Sequence, residues 1–520
     1  MRNFKLIGAL FSTLLMTGCA VSAPDVTETD RALRVDADLS VMFEGQEELT
    51  APLSFNQAVA RGLKYNLDKR LKLMERTFAE ARSQSATYEM LPSLVAKAGY
   101  DRRDRFNSST SLNVASGVRT TAFTTSADRG KGSADLRLVW NFLDFGVSWV
   151  GAKQEVQRAR VVEERRIKVV QNLIVDIRDA FWRASAAQNL LPRVSQLINR
   201  VESAIAQSKR SVADGTADPA KELKLQLALL NHTAKLQDVR RKLALSKVEL
   251  GALINLPPGT QYEVRKSGKA LRAPRIKAEM VTLYQAALEN RPELRQEDYE
   301  KVISELELDK TKLRMLPGLE INISSNYDSN SFLADSVWSS VGAIVSKNLI
   351  QWVRGPSEIK YAKTNIEVAD ARRRALSMAV ITQVHISTIR YALAQGAFKI
   401  RNRTFHTADK LSRVLTNSVD GDEVSPIEAL EAESKRTVAL IEYYAAYADL
   451  QNAYGRILNS VGAHRFPEDV EAMSVSDLAD WLDGRIDSWR PVVDGIEVDG
   501  ETYGAPKVIA LNPRARPERT

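Results

Sequence analysis

The cysteine, the histidines and a few carboxylates bound the chemistry this chain could carry. One cysteine, Cys19, occurs in 520 residues. A single thiol closes no internal disulfide and builds no cysteine-rich metal site. The four histidines, His232, His385, His406 and His464, are scattered and show no HExxH-type spacing. RGKGSAD at 129–135 has a Gly-Lys-Gly without the upstream glycine of a phosphate loop, and it reads as an exposed loop. GxSxG does not occur. An enzyme is not expected, and no catalytic residue, metal or cofactor is assigned. The carboxylates that stand out lie at two turns, DGTADP (214–219) and DGDEVSP (420–426). Gly215 and Gly421 supply positive φ at a helix end. Pro219 and Pro426 suit the first turn of the helix that follows. Asp422 and Glu423 add charge to the second turn. Glu428 and Glu431 follow three residues apart, so both can face one side of a helix. The helix dipole alone also favours acids at such a start.

The flanks of Cys19 give that thiol a context. Arg2 and Lys5 form a basic n-region, and Leu6–Met16 is an apolar run of 11 residues. Thr17 and Gly18 are small, which completes a secretory signal over 1–18. A membrane helix needs roughly 20 apolar residues, so this run is too short. The small-small-Cys ending resembles a bacterial lipoprotein signal, whose thiol is acylated and becomes the first mature residue. Met16 stands where that class usually has leucine. Ala20 follows the cysteine, where an aspartate would suggest retention at the inner membrane. Cys19 is then a lipid-attachment residue and 19–52 a linker. An ordinary signal peptide with an incidental cysteine is the alternative.

Charged residues are 27% and apolar residues 44%, the balance of a globular chain. The net charge of +8 could suggest nucleic acid. Lys and Arg are, however, mixed with Asp and Glu along helical stretches, as on solvated helix faces. With an export signal in front, no nucleic-acid partner is expected.

The elements that position these residues come in two copies. GLKYN (62–66) answers ALENR (287–291), and MLPSLVAKAGY (90–100) answers MLPGLEINISS (315–325). NFLDFG (141–146) answers NLIQWV (348–353), and GALIN (251–255) answers GRILN (455–459). The two Asp-Gly turns match in the same order. This is a tandem duplication, with repeats at about 53–262 and 280–462. Each copy reads as a helical segment, 54–89 or 282–314, ended before Pro92 or Pro317. Two strands with a polar loop follow, then a helix of sixty-odd residues, about 100 Å long, then the turn and a return helix. Pro192 should kink the first long helix or mark a discontinuity. Leu440, Tyr443, Tyr444, Tyr447, Leu450, Tyr454 and Ile457 give the second return helix its apolar stripe.

The strands alternate. Leu319, Ile321, Ile323 and Tyr327 share one face, and Glu320, Asn322, Ser324 and Asn326 the other. Leu136, Leu138, Trp140 and Phe142 alternate with Arg137, Val139 and Asn141. Trp140, Trp338 and Trp352 near the strand ends would suit an interfacial aromatic belt. A soluble sandwich strand would alternate equally well. Beyond 1–18 there is no apolar run of membrane-helix length, so any membrane span must be made of strands. Four strands cannot close a barrel, since membrane barrels begin at about eight. Copies would have to share one, a dimer giving eight strands and a trimer twelve.

Over 53–462 the pattern resembles the outer-membrane efflux protein family, the TolC-like channels. The resemblance rests on the duplication, ALENRPEL (287–294), the doubled Leu-Pro before a strand, WNFLDFG opening a long helix, and the turns before ALEA (429–432). It implies a mainly α fold with a membrane β portion: a trimeric, 12-stranded outer-membrane β-barrel continued by a periplasmic α-helical barrel. It implies a homotrimer in the bacterial outer membrane, lipid-anchored at Cys19. An inner-membrane transporter and a periplasmic adaptor protein would be its partners, with outer-membrane lipid. The function implied is a passive exit duct for tripartite efflux or type I secretion. A periplasmic coiled-coil adaptor or scaffold lipoprotein is the alternative, and a diffusion porin is disfavoured because helices fill most of the chain. In the family the tips often carry acidic rings, where Asp422, Glu423, Glu428 and Glu431 fall. Residues 463–520 extend past the repeat. DLADWLDGRIDSWRP there could form a short helix, and NPRARPERT reads as disordered.

Overall fold

The computed structural model describes residues 25–216, 218–265, 271–274, 276, 278–419, 426–463, 466–467 and 469–486. The chain forms two units, residues 1–48 and 49–520. The first holds α1 (Glu28–Val41), which starts at a reciprocal Thr27–Asp30 capping box and buries none of its side chains.

The second unit begins with α2 (Phe55–Tyr65), α3 (Leu67–Tyr88) and β1 (Ser93–Arg102). A loop with a short hairpin, β2 (Ser108–Ser109) and β3 (Thr124–Thr125), leads to β4 (Gly130–Asn141). Then come α4 (Phe142–Ala213) and α5 (Pro219–Leu253). The second copy gives α6 (Met280–Asn290), α7 (Pro292–Leu313), β5 (Gly318–Asp328), β6 (Val337–Ser346), α8 (Ile350–Val419) and α9 (Pro426–Ser460). The chain closes on α10 (Val475–Ile486). Among the described residues no helix is long and apolar enough to cross a membrane.

Sequence matches become matched local chemistry. Asn141 Oδ1 accepts from the Leu143 and Asp144 N–H groups at 3.0 and 3.3 Å, and Asn348 Oδ1 from that of Ile350 at 3.0 Å. Asn141 thus ends β4, Asn348 follows β6 by two residues, and each starts a long helix. Three helices end in the same motif. At the ends of α4, α5 and α9 a left-handed residue, Gly215 (φ 68°), Asn255 (φ 56°) or Gly462 (φ 70°), turns the chain. Thr216, Leu256 and Ala463 then donate back to Ser211, Gly251 and Leu458.

The two helical segments differ from expectation, since each is two helices. In the first, Asn66 takes an extended conformation and its Oδ1 caps Lys69 N–H at 3.0 Å, so α2 stops and α3 starts anew. In the second, Arg291 is extended because it precedes Pro292, whose ring disfavours the helical conformation there. The discontinuity expected at Pro192 is absent: α4 passes through it.

One antiparallel sheet, in the order β1-β4-β5-β6, unites the two copies. The helices joined to these strands keep that order, α3 beside α4, α4 beside α7, α7 beside α8. Farther from the sheet, α5 packs on α4, α4 on α9, and α9 on α8. α5 therefore continues the column of α3, and α9 that of α7. Both joints are held by the residue that starts the upper helix. Asn66 Nδ2 donates to the Leu253 carbonyl at 3.0 Å, and Arg291 Nη1 to the Asn459 carbonyl at 3.2 Å. Each donation satisfies a carbonyl at or near the end of the lower helix.

α2 and α10 cover one core, where Val59, Leu63, Ile174, Ile177, Leu478 and Leu482 pack together. Each such aliphatic side chain contributes about 1.5–3 kcal/mol by burial. The short helix expected in the C-terminal extension is thus part of this core, with Asn56 donating to Asp483 at 2.7 Å. An aromatic series crosses from one copy to the other. Phe55, Phe181, Trp182, Tyr447, Phe398, Tyr443 and Phe405 follow one another with centroids 5.0–5.7 Å apart.

Glu164 on α4 is buried against α7, where Arg295 Nη2 meets its Oε1 at 2.8 Å. Burial outweighs this attraction and pushes its carboxyl from 4.5 up to about 7. A raised carboxyl penalises the folded state once it ionises, so the cost grows as pH rises from 4.5 to about 7 and stays above that. We predict that Glu164→Gln stabilises the protein by up to about 3 kcal/mol at pH 8 and changes little at pH 4.5. Thermal unfolding at the two pH values checks this, and equal effects at both would refute it.

Candidate functional site

Directly opposed residues of neighbouring strands point to the same side of a sheet. Leu94, Leu138, Ile323 and Val341 stand side by side across all four strands, and Trp140, Ile321 and Ala343 form a second row. The opposite side carries Val95, Arg137, Ser324 and Ser340, then Lys97, Asp135, Asn326 and Trp338. On β5 the apolar Leu319, Ile323 and Tyr327 are 40–45% exposed, whereas Ser324 is buried and Glu320, Asn322 and Asn326 are half-buried. A soluble sandwich would bury the apolar face, whereas β5 leaves it exposed, and β1 and β6 bury no side chain on either face. Among the described residues neither β1 nor β6 has a second strand neighbour, so both edges are open.

The tryptophan belt needs correction. Trp140 lies on the apolar face and packs against Phe142 and Phe145 at 4.6 and 6.0 Å. Trp338 is opposite Asn326 and so belongs to the polar face. Trp352 is not at a strand end, because it lies in the first turn of α8.

At the far end of the helices, Gly215 makes the turn between α4 and α5, with the Asp218 carboxylate capping Ala220 N–H at 2.9 Å. Glu428 lies exposed in the first turn of α9, and Glu431 is half-buried one turn on. They are not equivalent: Lys435 Nζ holds Glu431 Oε1 at 2.7 Å. Leu430 shares a groove with Arg200 and Ser208 of α4 and Glu222 of α5, which brings this start of α9 to the hairpin of the first copy. Cys19, Gly421, Asp422 and Glu423 lie outside the described residues.

Sequence reasoning did not single out the ion pairs that tie α9 to its neighbours near this end. Arg200 of α4 meets Glu433 at 2.6 Å, Arg436 meets Asp409 of α8 at 2.5 Å, and Arg401 of α8 meets Glu442 at 2.7 Å. Partners so distant in sequence carry no signal in a single chain. Arg178 was missed likewise. Its buried guanidinium lies over the Phe55 and Tyr454 rings at 4.5 and 5.6 Å, and desolvation lowers its pKa to about 10.

Comparison by sequence finds no family model that matches the chain and no similar curated protein. Comparison by structure does find relatives. The CmeC outer membrane channel of Campylobacter jejuni superposes with a TM-score of 0.63 at 12% identity, over 87% of this chain and 94% of that one. A membrane protein from Pseudomonas aeruginosa gives 0.63 at 15%, over 81% and 92%. The open state of the Neisseria gonorrhoeae MtrE outer membrane channel gives 0.61 at 13%, over 78% and 88%. The resemblance to TolC-like channels is borne out in the fold, which is mostly helical with a small four-stranded sheet.

Proposed function

We propose that this chain is an outer-membrane exit duct, three copies of which share one 12-stranded barrel and continue it as a helical tube through the periplasm. The carrying observation is the sheet, with the apolar side chains of β5 exposed and both edges open, in a chain with the fold of outer membrane channels. In lipid each unpaired backbone group costs several kcal/mol, so four strands need further copies to close. Four helices beside four strands let the same closure serve the tube. The duct is passive. Its partners are an inner-membrane transporter and a periplasmic adaptor, as in tripartite efflux or type I secretion, and acylated Cys19 adds a lipid anchor. Cys19→Ser should abolish fatty-acid labelling, and unchanged labelling would dismiss the anchor. The function itself is tested by extraction and reconstitution. The protein should leave envelopes only with detergent and conduct ions in a planar bilayer. Release of Cys19→Ser by salt alone, without conductance, would favour the periplasmic adaptor or scaffold.

At the tip, rings of carboxylates attract cations. Glu428 has the stronger claim, because Glu431 keeps Lys435 as its counter-ion. Glu428→Ala should lower cation selectivity severalfold more than Glu431→Ala and relieve block by a trivalent cation from the periplasmic side. Reversal potentials in a salt gradient check this, and equal selectivity in both variants and the wild type would leave these acids as helix-start charges only.

A further inference from the structure

Four of the five residues that open α8 and the link before it are large and apolar: Leu349, Ile350, Trp352 and Val353, each between 62% and 80% exposed. The start of α4 is less exposed, with Phe142 and Phe145 at 40% and 39% packed on Trp140, and Trp149 at 48%. At about 100° per residue the four side chains cover one arc of the helix, with Gln351 opposite. Along the chain the arc follows Val341 and Val345, which are exposed on the apolar side of β6. Cations bracket it. Lys347 precedes it, with Nζ donating to the Arg314 and Leu316 carbonyls at 3.1 Å, and Arg354 follows, paired with Glu358 at 3.3 Å. Apolar residues with a tryptophan between basic residues suit the boundary between acyl chains and headgroups.

We infer that the first turn of α8 is a lipid-binding element, seated in the phospholipid leaflet on the helical side of the barrel. The membrane therefore ends on a helix in the second copy, beyond the last strand residue. This rests on the proposed membrane sheet. It departs from that reading in assigning a helical surface to lipid rather than to water or to the next copy.

The test uses three single substitutions, each at an exposed site: Val353→Cys in the arc, Val341→Cys on the sheet, and Tyr361→Cys farther along α8. Each is labelled with a nitroxide and reconstituted in phosphatidylethanolamine–phosphatidylglycerol vesicles, the unsubstituted chain serving as the labelling blank. Accessibility to oxygen is compared with accessibility to a water-soluble nickel complex. The oxygen-to-nickel ratio at 353 should be severalfold above that at 361 and below that at 341. A ratio at 353 equal to that at 361, with 341 high, overturns the inference and leaves the membrane sheet standing. An immobile label at 353 shielded from both reagents assigns the arc to a second copy and also overturns it. Low ratios at all three sites remove the membrane sheet itself, and the inference with it.

Discussion

Val341→Pro should yield single copies in detergent and no ion conduction, whereas the proposed shared barrel requires the wild type to give three copies by native mass measurement and to conduct. Val341 is central in β6, opposite Ile323 of β5, and the other edge of β6 is open. Proline removes the N–H and distorts the strand, so a ladder is broken either toward β5 or toward the neighbouring copy. In a barrel shared by three chains the fault recurs three times, in a solvent that offers no replacement partners. Val341→Thr keeps the backbone donor and the β-branched shape and should assemble. A conducting trimer of Val341→Pro would sink the shared barrel, and a conducting single copy of the wild type would do so at once.

Gly462→Ala should be far more damaging than Gly215→Ala, although both glycines have nearly the same φ, 70° and 68°. The left-handed conformation costs an L-residue about 1–2 kcal/mol in either place. At Gly215 nothing lies within 4 Å of the added methyl, so that cost is the whole effect. At Gly462 the methyl would meet the Asn290 carbonyl oxygen at 2.6 Å and its carbon at 2.8 Å, both backbone atoms. Relief requires shifting the end of α6 beside Arg291, and with it the joint of α7 on α9. Gly215→Ala should lower thermal stability slightly, whereas Gly462→Ala should lose several times more or fail to assemble. Equal unfolding temperatures for the two variants would show that the Asn290 contact gives way freely.

What a single sequence disclosed follows from how local each signal is. The Asp-Gly turn at 214–215 and the alternation in β5 act within a few residues, and the structure bears them out. Pro292 was legible too, because a proline one residue after Arg291 forces a new helix, yet the apolar pattern running through it masked the break. Asn66 was harder to read, since its side chain stops α2 only by capping α3 and bonding Leu253, far along the chain. Face assignment explains the error at Trp338. Its strand neighbours are Val337 and Ser339, and only the register with Asn326 decides its side. The pairs Arg200–Glu433 and Asp409–Arg436 depend wholly on how the two copies pack, which no local pattern encodes.

The joints at Asn66 and Arg291 have a mechanical consequence. α4 and α8 run unbroken from the sheet to the far end, and their backbone ladders, each missing one donor at Pro192 or Pro356, keep them stiff in bending and torsion. The columns between and beside them are butt-jointed, each crossed at its joint by a side-chain hydrogen bond to a carbonyl of the lower helix. Across the layer, stiff and articulated staves therefore alternate. A torque applied at the turns would reach the sheet through α4 and α8, whereas on α5 and α9 it would first meet their joints. In a ring of three copies, six rigid staves would hold the bore open while six hinged ones swing.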